Sequence, residues 1–425
     1  MNILVLSRTP WRNDNSFGNT FTDIFQQDGL YHIIHVYCGS GHPNSTLPKK
    51  IFKIDEGLVA KSILRRHIPT GQTVTAGQGN RPESTANQAI SHVKRHKWQI
   101  LYWMQELVWL LGKWKTEDLV SFLENADIDL IFQPIYPSFY MNRISRFMKN
   151  YTQKPMVCFT ADDAYTLKQF SLSPLFWIDR LLKRRAIRKT ILSSELLYVI
   201  SEAQKKEYEK IFNKPCKILT KQKDFSGLPR LKTAFHSPMR LVYAGNIGIG
   251  RWRTLGCLAQ EIEKVNARET RMELFIYTGT PITKSIRKAL SGKGTHLSKP
   301  VPASEIAQIQ SDADILIHAE GFRFGEGLRV RHSFSTKIVD YLAAGRCILA
   351  LGRKNTASIE HLKKNNAALL AQSKAEIPSV LQRILKDRAI LNTTAQNGWL
   401  CGQRYHNASA LRKMLLEDLH AVVKQ

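Results

Sequence analysis

Short apolar runs alternate with amphipathic segments along most of the chain, and this alternation predicts an α/β fold. The first apolar run, residues 2–7, is followed by a polar loop and a helix predicted over 20–27. Runs that are apolar throughout are typical of parallel strands buried on both faces. We therefore predict a doubly wound domain in the first half, with further strands at 31–38, 128–134, 155–159 and 195–200.

The alternation stops in the polar, basic stretch 221–238 and then begins again. The second series predicts strands at 240–244, 272–277, 294–297, 314–318, 347–351 and 367–370, with closing helices at 374–385 and 407–423. Two such series indicate two Rossmann-like domains with a ligand cleft between them. The first domain is predicted to span 1–225, joined by the C-terminal helix 405–425, and the second to span 238–404.

One segment interrupts the first series. Residues 39–87 are rich in Gly, Pro, Ser and Thr and contain a single weak strand at 50–54, so we expect an irregular excursion there. Its part 69–87 is typical of a surface loop, for which disorder is favoured over a functional lid.

Two helices carry patterns with two interpretations each. The first, 98–114, has one broad apolar face, for which packing in the core is favoured over contact with lipid headgroups. That face consists of Ile100, Trp103, Met104, Leu107, Leu111 and Trp114, and it follows Lys94, Arg95 and Lys97. The second helix begins at Ser173-Pro174, and a solvated basic face is favoured over binding of acidic lipid. Its cations are Arg180, Lys183, Arg184, Arg185, Arg188 and Lys189.

The charge of the chain limits the choice of partners. Its 62 Lys and Arg against 35 Asp and Glu give a formal net charge of +27, which indicates an anionic partner. Nucleic acid, an acidic membrane surface and phosphorylated small molecules all satisfy that requirement. The chain contains no recognisable nucleic-acid module, so a basic nucleic-acid-binding protein remains only the alternative hypothesis, and we expect no nucleic-acid partner.

Cysteine usage and hydropathy indicate the compartment. The six cysteines are widely spaced and mostly lie in apolar runs, which predicts buried thiols in a reducing environment. The first apolar run has no basic region before it and is interrupted by Arg8, so we interpret it as a strand and not as a signal peptide. No window of about 18 apolar residues occurs. A cytoplasmic protein is therefore expected, with peripheral contact at the inner face of the membrane as a further possibility.

The strongest candidate for binding chemistry lies in residues 331–352. There, Ser335, Thr336 and Lys337 open an amphipathic helix, so that two hydroxyls, free backbone N–H groups and an ammonium converge. Such a site suits a phosphate, although an ordinary capped helix explains the stretch equally well by itself. Asp340 lies one turn further along on the same side.

Three other loops follow predicted strands. The loop 245–253 contains Gly245, Gly248 and Gly250, which let a ligand approach the backbone, together with Arg251 and Arg253 at the helix start. Its G-x-x-G-x-G spacing does not match the dinucleotide fingerprint, which argues against a nicotinamide-dependent enzyme and leaves another nucleotide-binding Rossmann enzyme as an alternative. In the first half, Asp162 and Asp163 end a strand, where sites occur in open sheets, although a turn or a helix cap is an equally good explanation. Gly18 lies in the loop after the first strand.

In this order, the parts resemble a retaining glycosyltransferase of the GT-B fold, in the family 4 group that uses nucleotide sugars. The resemblance is carried by YAGNIGIGRW (243–252), DADILIHAE (312–320) and FSTKIVDYLAAGRCILALG (334–352), and in the first half by CFTADDAY and LLYVISEAQKKEY. It implies a nucleoside diphosphate sugar as donor, with no separate cofactor and no metal. It also implies a glycan or polyprenyl-linked acceptor in polysaccharide biosynthesis.

The resemblance also implies roles for individual residues. Lys337 and Arg251, or less favourably Arg253, would neutralise the donor diphosphate, and Asp162 or Asp163 would orient the acceptor or the sugar. The implied donor-binding set is Gly18, Gly245, Gly248, Thr278, Val301, Glu320, Ser335, Thr336 and Asp340, with Asp340 at the ribose and Val301 at the base. His332 stands where relatives often carry a glutamate, which leaves Glu320 or Glu326 as substitutes for positioning the sugar.

Overall fold

The computed structural model describes residues 1–26, 29–76 and 99–424. The chain divides into two compact units. Unit 1 contains residues 1–167, 171–219 and 413–425, and unit 2 contains residues 168–170 and 220–412. Each unit is built around one sheet with helices connecting its strands.

Unit 1 contains an eight-stranded sheet in the order β4-β3-β2-β1-β5-β6-β7-β8. Neighbouring strands pair in parallel except for β4, which runs antiparallel to β3. The strands are β1 Asn2–Ser7, β2 His32–Cys38, β3 Pro48–Ile54, β4 Gly71–Thr73, β5 Leu130–Pro134, β6 Met156–Thr160, β7 Leu196–Val199 and β8 Cys216–Ile218. The chain order reverses between β1 and β5, which makes that point the topological switch of unit 1.

The described helices of unit 1 connect these strands and begin with side-chain caps that the sequence supplies. Ser138, Ser173 and Ser201 each accept a hydrogen bond from a backbone N–H three residues on, as N-cap serines do. The helices are α1 Ser16–Phe25, α2 Glu56–Lys61, α3 Gln99–Leu111, α4 Glu117–Glu124, α5 Phe139–Thr152, α6 Pro174–Leu192 and α7 Glu202–Phe212.

Unit 2 contains a six-stranded, all-parallel sheet in the order β11-β10-β9-β12-β13-β14. Its strands are β9 Met239–Ala244, β10 Met272–Tyr277, β11 Thr295–Ser298, β12 Ile315–Ala319, β13 Cys347–Leu351 and β14 Leu369–Ala371. This is the strand order of a doubly wound nucleotide-binding domain, and its topological switch lies between β9 and β12.

The helices of unit 2 lie between its strands and after the last one. They are α8 Arg251–Val265, α9 Lys284–Ala289, α10 Ala303–Asp312, α11 Phe324–Val330, α12 Thr336–Ala343, α13 Ala357–Lys364, the 3-10 turn Lys374–Glu376, α14 Ile377–Lys386 and α15 Ala389–Tyr405. The last helix, α16 Ala408–Val423, ends in unit 1. There, Asp418 accepts a hydrogen bond of 2.7 Å from the Tyr198 hydroxyl and also contacts Lys217.

The structure differs from the sequence predictions mainly in short elements. The predicted excursion 39–87 contains α2 and β4, and its part 77–87 lies outside the described residues. The helices α4, α11, α13 and α15 were not predicted, and α11 replaces part of a predicted loop. The predicted buried thiols are confirmed: all six cysteines are free, and only Cys257 is partly exposed.

The predicted core packing of helix 98–114 is wrong for most of its apolar face. Ile100, Met104, Leu107 and Leu111 are exposed in α3, whereas Trp109, which was not on the predicted face, is fully buried. A helical repeat shows which residues share a face but not which way that face points. In this helix Trp109 and the polar side chains of Gln105 and Glu106 make the inward contacts.

The predicted solvated face of α6 is only half correct. Arg185, Arg188 and Lys189 are exposed, as expected. By contrast, Arg180 donates a hydrogen bond of 2.9 Å to the Thr166 carbonyl, and Lys183 is buried in an ion pair with Asp179. The Arg184 guanidinium lies 4.6 Å from the centre of the Tyr165 ring. The first half of the basic run therefore contributes to the internal packing of unit 1.

Candidate functional site

A polar site lies at the topological switch of unit 2, where β9 and β12 end side by side. Gly245 follows β9 directly, and Glu320 follows β12 directly. The helices α8 and α12 begin close by, with Arg251 as the first residue of α8 and Lys337 in the first turn of α12. Because open α/β sheets bind ligands outside the carboxyl ends of strands at such a switch, this is the position where a ligand is expected.

Lys337 and Gly245 are in direct contact. A Cβ atom added at Gly245 would lie 1.6 Å from Lys337 Nζ, so only glycine leaves room for this ammonium. Gly245 also has a φ of 139°, a backbone conformation that favours glycine. Lys337 Nζ also lies 5.0 Å from the centre of the Tyr243 ring, a distance at which the aromatic ring attracts the ammonium.

Arg251 is held beside this lysine by a buried carboxylate. Its guanidinium donates two hydrogen bonds to Glu320, of 3.0 Å from Nε to Oε2 and 3.1 Å from NH2 to Oε1. The Thr254 hydroxyl donates to the Glu320 carbonyl at 2.8 Å, which fixes the end of β12 to α8. Such bidentate pairing gives the arginine a defined orientation at the start of the helix.

The site brings two cations, Lys337 and Arg251, beside the carboxylate of Glu320. Burial, together with repulsion from Arg251, lowers the pKa of Lys337 to about 8. Burial lowers the pKa of His318 to about 3, and the same two cations, Arg251 and Lys337, add to that effect. Lys337 and Arg251 together carry more charge than the Glu320 carboxylate that pairs with Arg251, so the site favours an anion.

A second ion pair, between Arg253 and Glu326, lies against the loop 245–253. Arg253 NH1 lies 2.9 Å from Glu326 Oε1, and Glu326 Oε2 accepts a hydrogen bond of 3.1 Å from the backbone N–H of Arg323. Cβ atoms at Gly250 and Gly321 would each lie within 2.4 Å of the Glu326 carboxylate. The loop therefore packs on this carboxylate, and Arg253 is engaged in that contact.

The Ser335 hydroxyl at the start of α12 does not cap the helix. Ser335 is the N-cap residue, yet its side chain makes no capping hydrogen bond, and its backbone N–H donates to Ser358 Oγ at 3.1 Å. Asp340, one turn along, forms an ion pair of 2.8 Å with Lys221 and lies 3.7 Å from Lys223. A ligand that bound the Asp340 carboxylate would therefore bind a group that Lys221 already holds.

Solved structures share this architecture, although no family model and no curated protein matches the sequence. Sucrose-phosphate synthase from Thermosynechococcus elongatus has a TM-score of 0.61 at 14% identity, with 99% of each chain covered. HepE from Anabaena, in complex with UDP-glucose, has a TM-score of 0.60 at 12% identity, with 99% of this chain and 100% of that chain covered. The α,α-trehalose-phosphate synthase of Burkholderia xenovorans, in complex with glucose-6-phosphate, has a TM-score of 0.59 at 9% identity, covering 99% and 100%.

The chain has the GT-B fold. The predicted fold class, α/β with two Rossmann-like doubly wound domains, is thereby confirmed. At identities this low the likeness shows the fold alone, so the roles of individual residues depend on the geometry of the GT-B chain itself.

The remaining predicted donor residues surround the same strand ends. Thr278 follows β10, and its hydroxyl accepts a hydrogen bond of 3.1 Å from the Thr280 N–H. Gly248 donates its N–H to Asn246 Oδ1 at 2.6 Å. Val301 lies in the loop after β11, and Thr336 begins α12. His332 is buried and lies between α11 and α12 along the chain.

The predicted residues of unit 1 have different surroundings. Asp162 follows β6 and is exposed, whereas Asp163 is buried. The Asp163 carboxylate accepts hydrogen bonds from the Thr166 backbone N–H at 2.8 Å and from the Thr166 hydroxyl, and it pairs with Arg180 at 3.4 Å. Asp163 therefore orders its own loop, whereas Asp162 is exposed at this strand end.

Gly18 is explained by packing. It lies inside α1, where a Cβ atom would come within 1.9 Å of the Arg12 carbonyl oxygen. Its N–H donates to the cap residue Asn15 at 2.6 Å. This close approach requires a glycine whether or not a ligand binds nearby.

Sequence reasoning missed Tyr243 and His318 as members of the unit 2 site. Both lie within the motifs that carried the resemblance, but nothing in the pattern assigns a role to either. Their part becomes visible only when β9, β12 and α12 are brought together.

Among the described residues, no group of three or more His, Cys, Asp or Glu side chains is arranged to hold a metal ion. The helices within those ranges also include none that is both long and apolar enough to cross a membrane.

Proposed function

We propose that this protein is a glycosyltransferase that transfers a sugar from a nucleoside diphosphate sugar to a glycan or lipid-linked acceptor. The observation that carries the proposal is the convergence of Lys337, Arg251 and the Gly245 backbone at the switch point of unit 2. Unit 2 binds the donor in this proposal, and unit 1 binds the acceptor. Solved structures of the same fold support it, since HepE holds UDP-glucose.

The proposed chemistry uses the positive site directly. The bond between the anomeric carbon and the diphosphate oxygen breaks, and the diphosphate gains negative charge as the sugar becomes oxocarbenium-like. Lys337 and Arg251 stabilise that charge, and since the charge is largest in the transition state, they accelerate the reaction rather than only binding the donor. The acceptor hydroxyl forms the new bond on the same face and gives its proton to the departing phosphate. This path retains the configuration of the sugar.

The proposed function also assigns roles to further site residues and a chemical class to the acceptor. Asp162 would orient the acceptor from unit 1, and Ser335 and Thr336 would contact the diphosphate at the start of α12. The trehalose-phosphate synthase complex with glucose-6-phosphate supports a sugar or phosphosugar acceptor. A polyprenyl-linked acceptor would place the protein at the inner, acidic face of the cytoplasmic membrane, where the net charge of +27 favours binding.

A thermal-shift panel tests the proposal. Ligands that bind only the folded state raise its melting temperature, and a nucleotide at about one hundred times its dissociation constant stabilises by about 2.7 kcal/mol. We expect a shift of several degrees with at least one of UDP, GDP, ADP and their sugar conjugates. No shift with any of them would contradict the proposal. Tight binding of duplex DNA at physiological salt in the same preparation would favour the nucleic-acid alternative.

The pH dependence of nucleotide binding is a second prediction. Lys337 must carry its proton to attract a diphosphate, and its pKa in the unliganded protein is about 8. Affinity for the nucleotide is therefore expected to be constant below that pH and to fall by up to about tenfold per pH unit above it, as measured by titration calorimetry. Lys337→Arg, whose guanidinium stays charged, should flatten the profile.

Loss of the fold does not explain such a decrease. The pKa of Lys337 in the folded state lies below its value in the unfolded chain, so above pH 8 the unfolded state binds more protons at this residue. Titration of Lys337 therefore stabilises the unliganded fold as the pH rises between these two values. An affinity that is unchanged up to pH 10 would contradict the assignment of Lys337 to the anion site.

A further inference from the structure

Helix α3 directs its polar side chains inward. The Glu106 carboxylate accepts hydrogen bonds of 3.0 Å from the backbone N–H groups of Phe139 and Tyr140, at the start of α5. Gln105 donates to the buried Glu56. Trp109 is fully buried and stacks on the Tyr140 ring at 4.4 Å. These contacts fix the rotation of α3 about its axis, so its opposite face must point away from the sheet.

That opposite face is apolar. Five side chains on it are between 44% and 61% exposed within the part of the chain that the structure describes. They are Ile100, Met104, Leu107, Leu110 and Leu111, which follow the i, i+4, i+7, i+10, i+11 spacing of one helix face and are called the α3 stripe below. A contiguous exposed stripe of this kind is typical of a surface that binds another apolar phase.

Helix α6 presents a related face. Its first half exposes Leu175, Ile178, Leu181 and Leu182, each between 38% and 50% exposed. Its second half continues the same side with the exposed cations Arg185, Arg188 and Lys189. These seven residues are called the α6 face. Trp103 of α3 donates from Nε1 to Asp179 of α6 at 2.9 Å, which joins the two helices.

We propose that the α3 stripe and the α6 face together bind the surface of an anionic lipid bilayer. Apolar side chains at helical spacing enter the headgroup region, and lysine and arginine beside them pair with lipid phosphates. The charge of the surface decides against a second copy of the chain, since that copy would bring the same cations against each other. The one acidic residue of α6, Asp179, is already paired with Lys183.

This inference deepens the membrane part of the proposed function by naming the surface, and it needs no residue of the nucleotide site. Failure of the two proposals is therefore distinguishable. A protein that shows a nucleotide-induced thermal shift but does not bind vesicles would keep the donor site and lose the lipid surface. A protein that binds vesicles but shows no nucleotide-induced thermal shift would keep the lipid surface and lose the donor site.

Vesicle co-sedimentation of the full-length protein tests the inference. We expect binding to vesicles of phosphatidylcholine mixed with phosphatidylglycerol to be at least about tenfold tighter than to phosphatidylcholine alone, and to weaken with salt. The double substitution Leu107→Gln and Leu111→Gln should reduce binding to the acidic vesicles at least about tenfold. The triple substitution of Arg185, Arg188 and Lys189 to Gln should remove the preference for acidic lipid.

Matched controls use residues of unit 2 that are also exposed. Leu228→Gln with Leu400→Gln, and separately Arg268→Gln with Lys284→Gln and Lys288→Gln, should leave vesicle binding unchanged. Unchanged binding by the Leu107/Leu111 variant would overturn the inference. So would a dimer, seen by light scattering, that the same variant converts to a monomer, since a second copy would then be the occupant. A lower melting temperature of that variant without loss of vesicle binding would assign the stripe to internal packing and also overturn it.

Discussion

Replacing Lys337 with alanine is expected to reduce sugar transfer by about a thousandfold while leaving the fold intact. Removal of one preorganised group that stabilises charge in a transition state typically costs about two to three orders of magnitude in rate. In the proposed function Lys337 also contributes to binding of the donor, so the combined loss in kcat/KM should lie at the upper end of that range. The measurement is the release of nucleoside diphosphate from the donor that gives the largest thermal shift.

The fold of the Lys337→Ala variant is checked by its melting temperature. Because burial disfavours the charged form of Lys337, removing it should not destabilise unit 2 and should slightly stabilise it at neutral pH. Lys288→Ala, at an exposed position of unit 2, is the matched control and should retain full activity. Turnover that survives the loss of Lys337 would show that the diphosphate site lies elsewhere.

The sequence indicated that these residues lie together because their signals are local. The Ser335-Thr336-Lys337 opening and the Gly245 loop are each recognisable within a few residues, and the order of strands places both at the same edge of a parallel sheet. Helix starts and glycine turns depend on neighbouring residues alone. The order of strands was therefore enough to predict that the lysine and the glycine loop lie close together.

The partners of the charged residues could not be predicted in the same way. Arg251 pairs with Glu320 across 69 positions, and Asp340 pairs with Lys221 across 119 positions. Each of these carboxylates is expected to serve a sugar or a ribose, and in the structure each also holds a cation of unit 2. Long-range ion pairs depend on how loops meet above the sheet, and a single sequence contains no pattern that specifies them.

The orientation of α3 could not be predicted for a different physical reason. Its apolar spacing correctly indicated a helix with one apolar face, but α3 packs on unit 1 through Trp109, which stacks on Tyr140. Glu106 then satisfies two backbone N–H groups that would otherwise begin α5 without partners. With Trp109 and Glu106 facing inward, the aliphatic face on the opposite side of α3 is exposed.

The room that Gly245 leaves for Lys337 leads to the second large expected effect. In Gly245→Ala, the new Cβ would occupy the position of Lys337 Nζ, 1.6 Å away, and the flexible end of the lysine would have to move. The charge is kept in this variant, but it is displaced from the site. We expect nucleotide affinity, measured by titration calorimetry, to fall by about a hundredfold, because preorganised charge is worth far more than mobile charge.

Gly245→Ala also introduces backbone strain, and Gly227→Ala distinguishes the effect of strain from the effect of displacing Lys337. Alanine at Gly245 must adopt a φ of 139°, which by itself costs about 1–3 kcal/mol of stability. Gly227 also has a positive φ, of 73°, but an added Cβ there would meet no atom within 4 Å. Gly227→Ala should therefore lower the melting temperature and leave nucleotide affinity unchanged. If Gly227→Ala weakened the nucleotide as much as Gly245→Ala does, strain and not the displacement of Lys337 would be the cause, and the close contact between Gly245 and Lys337 would have no role in binding.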